Sequence, residues 1–262
     1  MDDHRSARSK VQFFNLRVDI LGRRQLFEEL SARLAANSDL VSINFLNAHC
    51  FNVAQRDPHY TDALDRCTYL LNDGVGVALA GKVKGIHFEE NMNGTDLIPD
   101  LLQLFAEAGL SVYFFGAKPE VTQEAVVEIG RLIPNLSIAG FSHGYVESPE
   151  SVVEQINASG AGAVVLGLGV PRQELWVDRY GSRLTDVRVC VSGGAIFDFM
   201  SGRVKRAPMF MRRLSLEWVF RLMQEPGRLF QRYIPGNALF LYYVLVRYRR
   251  WLPGRAPPDC LQ

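Results

Sequence analysis

The sequence predicts an α/β fold, a mostly parallel Rossmann-like sheet flanked by helices, with a basic helical appendage at the C-terminus. Three observations carry this expectation. From about Leu26 to Val191, short β-rich apolar runs alternate with stretches of helical spacing, the pattern of a parallel sheet wrapped by helices. Several of those runs end in glycine or an Asp-Gly turn just before a helix. After Gly202 the composition becomes basic and aromatic. The expected division is an α/β core over 1–202 and a basic amphipathic appendage over 203–262.

The elements follow in order. Residues 40–46 read as a strand followed by a helix through Gln55. Residues 68–71 form a short apolar run ending in Asn72-Asp73-Gly74, with a helix through Ala80 beyond it. Residues 111–115 end at Gly116 and lead into helical spacing over 121–132. Residues 163–166 end at Gly167-Leu168-Gly169, and Pro171 suits the first position of the next helix. Residues 187–191 end at Ser192-Gly193-Gly194. Ligands of open α/β sheets collect beyond the carboxyl ends of the strands, and glycines there let backbone N–H groups approach a phosphate. The alternative is that each glycine only makes a tight turn. Three such loops together favour a nucleotide or sugar-phosphate site. A dinucleotide site is disfavoured, because Arg172 stands where the third glycine of Gly167-x-Gly169 would fall and no acid closes the next strand.

With 48% hydrophobic residues, 22% charged residues and a net charge of +1, the 262-residue chain is not disordered. Cys50, Cys67, Cys190 and Cys260 are scattered, with no CxxC, and fit reduced thiols rather than a disulfide framework or a zinc site. The stretch 1–10 is polar, and no signal peptide is read there. The small net charge hides an asymmetry. From Arg203 onward 12 Lys/Arg face three acids, a balance of +9, while the preceding residues carry 17 Lys/Arg against 25 acids, a balance of −8. A basic tail of this kind points to phosphate, in nucleic acid or an anionic bilayer. Within it, Leu214, Trp218 and Leu222 repeat at helical spacing over 209–224, with Arg212, Arg213 and Arg221 alongside. Pro226 then kinks or ends that helix. Residues 238–246 are apolar and aromatic, closed by Arg247, Arg249, Arg250 and Trp251. That block is shorter than the ~20 residues of a membrane span, and it suits a helix lying in the interface or one docked on the core. The aromatics are not interleaved with the bases as stacking platforms would be, so no nucleic-acid partner is expected.

The ordered blocks Asn47, Asp73-Gly74-Val75-Gly76, Asn93-Gly94-Thr95-Asp96-Leu97-Ile98-Pro99, Phe115-Gly116-Ala117-Lys118-Pro119, Gly169-Val170-Pro171-Arg172-Gln173-Glu174, Gly193-Gly194-Ala195-Ile196-Phe197-Asp198 and Arg206-Ala207-Pro208 through Leu216-Glu217-Trp218, Arg221 and Glu225-Pro226 give a specific resemblance. The chain resembles the WecG/TagA/CpsF glycosyltransferases over roughly residues 13–233. The resemblance implies an inverting transferase moving a hexose from a UDP-sugar to a polyprenyl-diphosphate-linked sugar, peripheral on the cytoplasmic face of the inner membrane and touching its anionic surface. Its finer implication is the xanthan-type exopolysaccharide branch, a β-1,4-linked glucosyl transfer. The alternatives are UDP-N-acetylmannosamine as donor, or a non-catalytic nucleotide-sugar or lipid binding module.

An inverting transfer needs a base for the attacking hydroxyl and help for the departing diphosphate. Asp73, at a strand end before glycine, fits the base, with helix capping as its ordinary alternative. The resemblance places Asn47 and Gln173 in the same cleft, where their amides could hold sugar hydroxyls or phosphate. It puts the UDP at Gly116, Lys118, Gly167 and Gly169, and the diphosphates at Arg221, Arg228 and Arg232. Those arginines share one helical face only if Pro226 kinks the helix without ending it. Phe45 and Asn91 replace a threonine and an arginine common in the family, so polar contacts there are expected to be rearranged. His49 and His143 read as structural. No DxD triplet is present, and no metal or cofactor is expected, which leaves arginines to offset the leaving-group charge.

Overall fold

The computed structural model describes residues 9–36, 39–214 and 216–250. The start of the polar stretch 1–10, Trp251 and Cys260 lie outside them, and so do the side chains of Arg213, Arg247, Arg249 and Arg250. The chain opens with an antiparallel hairpin that the sequence reading does not anticipate, β1 (Ser9–Phe13) and β2 (Leu16–Ile20). There follow α1 (Arg23–Ala35), β3 (Val41–Leu46), α2 (Ala48–Ala54), α3 (Pro58–Arg66), β4 (Tyr69–Asn72), α4 (Val75–Val83), α5 (Gly94–Glu107), β5 (Val112–Gly116), α6 (Pro119–Leu132), β6 (Ile138–Ser142), α7 (Pro149–Ser159), β7 (Ala163–Gly167), α8 (Arg172–Tyr180), β8 (Val189–Ser192) and α9 (Ile196–Met200).

Strands β3 to β8 form one six-stranded sheet of order β4-β3-β8-β7-β5-β6 in which every pairing is parallel, as expected for the α/β class. Its strands β5, β7 and β8 are almost wholly apolar because both faces are covered, while β3 also carries Ser42 and the buried Asn44. Alternation along β5 shows how. Val112 and Phe114 join Leu26, Leu30, Leu101 and Ile129 under α1, α5 and α6. Tyr113 and Phe115 face Val152, Ile156 and Trp176 under α7 and α8. The hairpin seals the β4 edge, where buried Asp19 accepts a hydrogen bond from Leu70 N at 2.8 Å. Pro171 sits one residue earlier than expected, as the N-cap of α8.

The appendage differs from its sequence reading. The stretch 209–224 is not one helix but two, α10 (Met209–Arg213) and α11 (Glu217–Gln224), and Leu214 is exposed between them. Pro226 ends the helix and opens another, α12 (Pro226–Arg250), with Glu225 out of helical geometry at the joint (φ −133°, ψ 60°). The apolar block 238–246 lies within α12. That helix docks on α2, where Phe240 meets Phe51 at 5.3 Å between ring centroids and Asn52 donates to the Gly236 carbonyl at 2.7 Å. Part of the tail's positive charge is spent on the acidic core, through Arg203 to Glu124, Arg206 to Asp96, and Arg228 to Asp198. Among the described residues no helix is long and apolar enough to cross a membrane. Phe240→Ala should remove ~3–5 kcal/mol of packing at this interface and hasten proteolytic release of α12. Unchanged cleavage kinetics would show that the helix is held by other contacts.

Candidate active site

Register brings the first two site residues together. Leu46 of β3 pairs with Asn72 of β4, so the residues that leave the two strands, Asn47 and Asp73, emerge side by side. Asn47 caps α2, its Oδ1 accepting from His49 N and Cys50 N at 3.1 Å. Its Nδ2 donates to Asp73 Oδ2 at 3.2 Å. The capping role open to Asp73 falls instead to Gly74, whose φ of +90° makes the sharp turn into α4. The Asp73 carboxylate is therefore free of the helix. Burial raises its pKa, and Glu217 adds to the rise, while the Asn47 amide and the charges of Arg232 and Arg221 oppose it. A base with a raised pKa is better matched to proton transfer near neutrality.

Above the strand ends lies a cavity of about 730 Å³. Asn47, Asp73, Lys118, Gly167, Gly169, Gln173, Arg221, Arg228 and Arg232 all line it. Gly116 is the exception among the expected residues. It is buried against β7, where a Cβ would fall 2.3 Å from the Gly167 carbonyl carbon, so it permits a close strand approach and offers no surface to a ligand. The Gln173 amide is also committed. Its Oε1 accepts from Gly169 N at 3.2 Å and Gly194 N at 3.0 Å, and its Nε2 donates to Glu174 Oε1 at 2.8 Å. It ties two glycine loops together, with its oxygen held by two backbone N–H groups and its nitrogen bonded to Glu174.

A second cavity of about 760 Å³ runs between α4 and α12, walled by Val75, Leu79, Val83, Phe240, Leu241 and Val244. The two cavities share Asn47, Asp73, Thr95, Phe199, Arg221 and Arg232. Arg221 and Arg232 come from different helices, so they converge through the packing of α11 on α12 and not through one helical face. Arg221 lies over the Phe199 ring at 4.7 Å, with Nε and Nη2 buried and without a hydrogen-bond partner among the described residues. Buried guanidinium donors left unpaired beside a cavity call for an anion. Arg228 is already engaged by Asp198 at 3.2 Å and by Glu225.

The two departures have structural substitutes. Phe45 packs against Gly94, within 3.3 Å of where a Cβ would be, and Asn91 Oδ1 accepts from Gly74 N at 2.8 Å, steadying the turn after Asp73. His49 is pushed down to about 4 by burial and by Arg232, and stays uncharged near neutrality. His143 accepts from Tyr145 N on an exposed loop. Thr95, Glu174, Asp198 and Phe199 line the site without having been singled out. The first three lie inside the motif blocks quoted above, so their place in the pattern was the available signal. Cys50, Cys67 and Cys190 are buried thiols, and Cys67 Sγ donates to the Leu64 carbonyl at 2.9 Å. Among the described residues no three His, Cys, Asp or Glu side chains cluster to hold a metal.

A family profile of the WecG/TagA/CpsF glycosyltransferases matches residues 11–253. The chain belongs to this family. Among its relatives, an N-acetylglucosaminyldiphosphoundecaprenol N-acetyl-β-D-mannosaminyltransferase of Bacillus spizizenii is 37% identical over 175 residues, 67% of this chain and 68% of that protein. The enzyme of that name from Bacillus subtilis is 34% identical, with 71% and 72% covered. A Staphylococcus aureus enzyme of the same name is 26% identical over 92% of this chain and 94% of its own. These relatives overturn the expected glucosyl transfer of a xanthan-type branch, because the sugar they are named for is N-acetylmannosamine. In this WecG/TagA/CpsF chain, Asn47→Ala should cost ~1 kcal/mol of stability through the lost cap. Urea denaturation measures it, and an unchanged midpoint would show that the cap is not limiting.

Proposed function

We propose that this glycosyltransferase moves N-acetylmannosamine from a UDP-linked donor to the N-acetylglucosamine of a polyprenyl-diphosphate acceptor, with inversion at the anomeric carbon. The carrying observation is the place of Asp73, where a polar, arginine-lined cavity meets an apolar groove. The polar cavity suits the nucleotide sugar and the groove suits the first units of a prenyl chain. In the reaction the acceptor hydroxyl oxygen bonds to C1 of the donor sugar as the bond from C1 to the UDP oxygen breaks. The hydroxyl proton passes to Asp73, and the electron pair of the broken bond leaves on UDP. Arg221 and Arg232 offset the charge that develops there, joined by Arg228 if the phosphate displaces Asp198. The relatives' names support the choice of sugar and of a lipid diphosphate acceptor.

The appendage is read as the membrane-facing part of the enzyme. Leu79, Val83, Phe210, Leu214, Leu241 and Leu245 are all exposed on the elements that build the groove and its surroundings. Such residues would rest on the cytoplasmic leaflet, with basic residues adding ~1 kcal/mol each near anionic lipid. High salt should then release the protein from anionic vesicles.

Asp73→Asn should lower turnover by ~10²–10⁴-fold while leaving the fold and UDP binding intact. Turnover within threefold of wild type at an unchanged melting temperature would remove Asp73 from the chemistry. Arg221→Ala should lower turnover even with a short-chain acceptor in detergent, and full activity there would restrict this arginine to membrane attachment. Transfer should also continue in excess EDTA. Loss of activity restored by Mg²⁺ or Mn²⁺ would overturn the assignment of the leaving-group charge to arginines.

A further inference from the structure

Glu174 is a buried carboxyl that the proposed transfer does not use. It is 2% exposed, borders the polar cavity, and its Oε2 has no hydrogen-bond partner among the described residues. Its Oε1 receives the Gln173 amide, whose own oxygen holds Gly169 N and Gly194 N. The carboxyl thus stands at the base of a relay that fixes two of the loops forming the cavity floor. The titratable groups facing it from the neighbouring helices are Cys50 on α2 and Tyr60 on α3, both buried, and neither supplies a positive charge.

We propose that Glu174 is a positioning residue for donor binding: its Oε1 anchors the Gln173 amide that clamps the two glycine loops, and when ionised it also sets an unneutralised carboxylate behind the cavity that receives the diphosphate. This rests on the reading of that cavity as the nucleotide-sugar site. Burial pushes the Glu174 pKa up to about 7, with the Gln173 hydrogen bond opposing the rise, so the switch falls near neutrality. The sign is fixed by linkage. A raised pKa means that the folded chain keeps a proton the unfolded chain has released, so stability declines as pH climbs from the ordinary value of 4.5 to about 7. An anionic ligand bound only by the uncharged form weakens as pH rises beyond that point.

Calorimetric titration with UDP-N-acetylmannosamine, without acceptor, tests this. The diphosphate of a nucleotide sugar does not itself titrate near neutrality. All proteins carry His143→Gln, which removes the imidazole from the loop beside the cavity. Above pH ~7 the dissociation constant should rise, approaching the roughly tenfold per pH unit of a single proton. Glu174→Gln should bind above pH ~7 more tightly than the parent protein, close to the parent's affinity near pH ~6, with a thermal midpoint that declines less than the parent's between acid and neutral pH. An affinity of the parent that is flat with pH overturns the proposal, as does a folded Glu174→Gln protein that keeps the parent's pH slope or binds weakly throughout. Should Glu174→Gln not fold, the slope of the parent alone decides. No binding at any pH would instead reject the donor-site reading.

Discussion

The hydrogen bond from Asn47 to Asp73 joins the ends of two adjacent parallel strands, and most of the site is arranged around it. It exists because β3 and β4 pair in a register that sets Leu46 opposite Asn72. A one-residue slip would turn one of the two side chains to the other face of the sheet. Asn47 spends its oxygen on the first turn of α2 and its amide hydrogens on Asp73, so helix start and carboxylate orientation are coupled. Gly74 completes the arrangement by turning the chain into α4 without drawing on the carboxylate.

The appendage closes the site from the opposite side. Phe240 wedges α12 against α2, and ion pairs from Arg203, Arg206 and Arg228 reach core acids. Such half-exposed pairs each contribute little to stability. Their effect is on charge, since they neutralise part of the tail and leave Arg221 and Arg232 as the cationic residues shared by both cavities. Arg221 has buried donors without partners, a cost the folded chain carries unless an anion satisfies them. Its position beside Asp73 is the basis for proposing that the site separates a hydroxyl proton from a departing diphosphate.

The parallel sheet and its glycine-ended strands were legible because the doubly covered strands are continuous apolar runs, and nine of the ten expected site residues line the polar cavity. Gly116 was not distinguishable from the others, since a glycine required for strand packing and one required for a ligand look alike in sequence. The structural part of Gln173 was hidden for a related reason. An amide lining a cavity invites a ligand role, and only coordinates show that both its ends are occupied. The hairpin β1–β2 lacks the βα rhythm and went unseen. The breaks around Leu214 and Glu225 depend on how the tail folds onto the core, which helical spacing alone does not encode. The glucosyl expectation named no residue of its own, and the relatives' names overturn it.

The central claim is that Asp73 stands between donor and acceptor. A crystal structure with UDP and a short-chain polyprenyl-diphosphate N-acetylglucosamine tests it most directly. UDP should occupy the glycine-lined cavity and the prenyl chain the groove between α4 and α12. The attacking hydroxyl should lie within about 3.2 Å of the Asp73 carboxylate, the reach of a general base. An acceptor sugar bound on the far side of UDP from Asp73, or a prenyl chain outside the groove, would contradict the account.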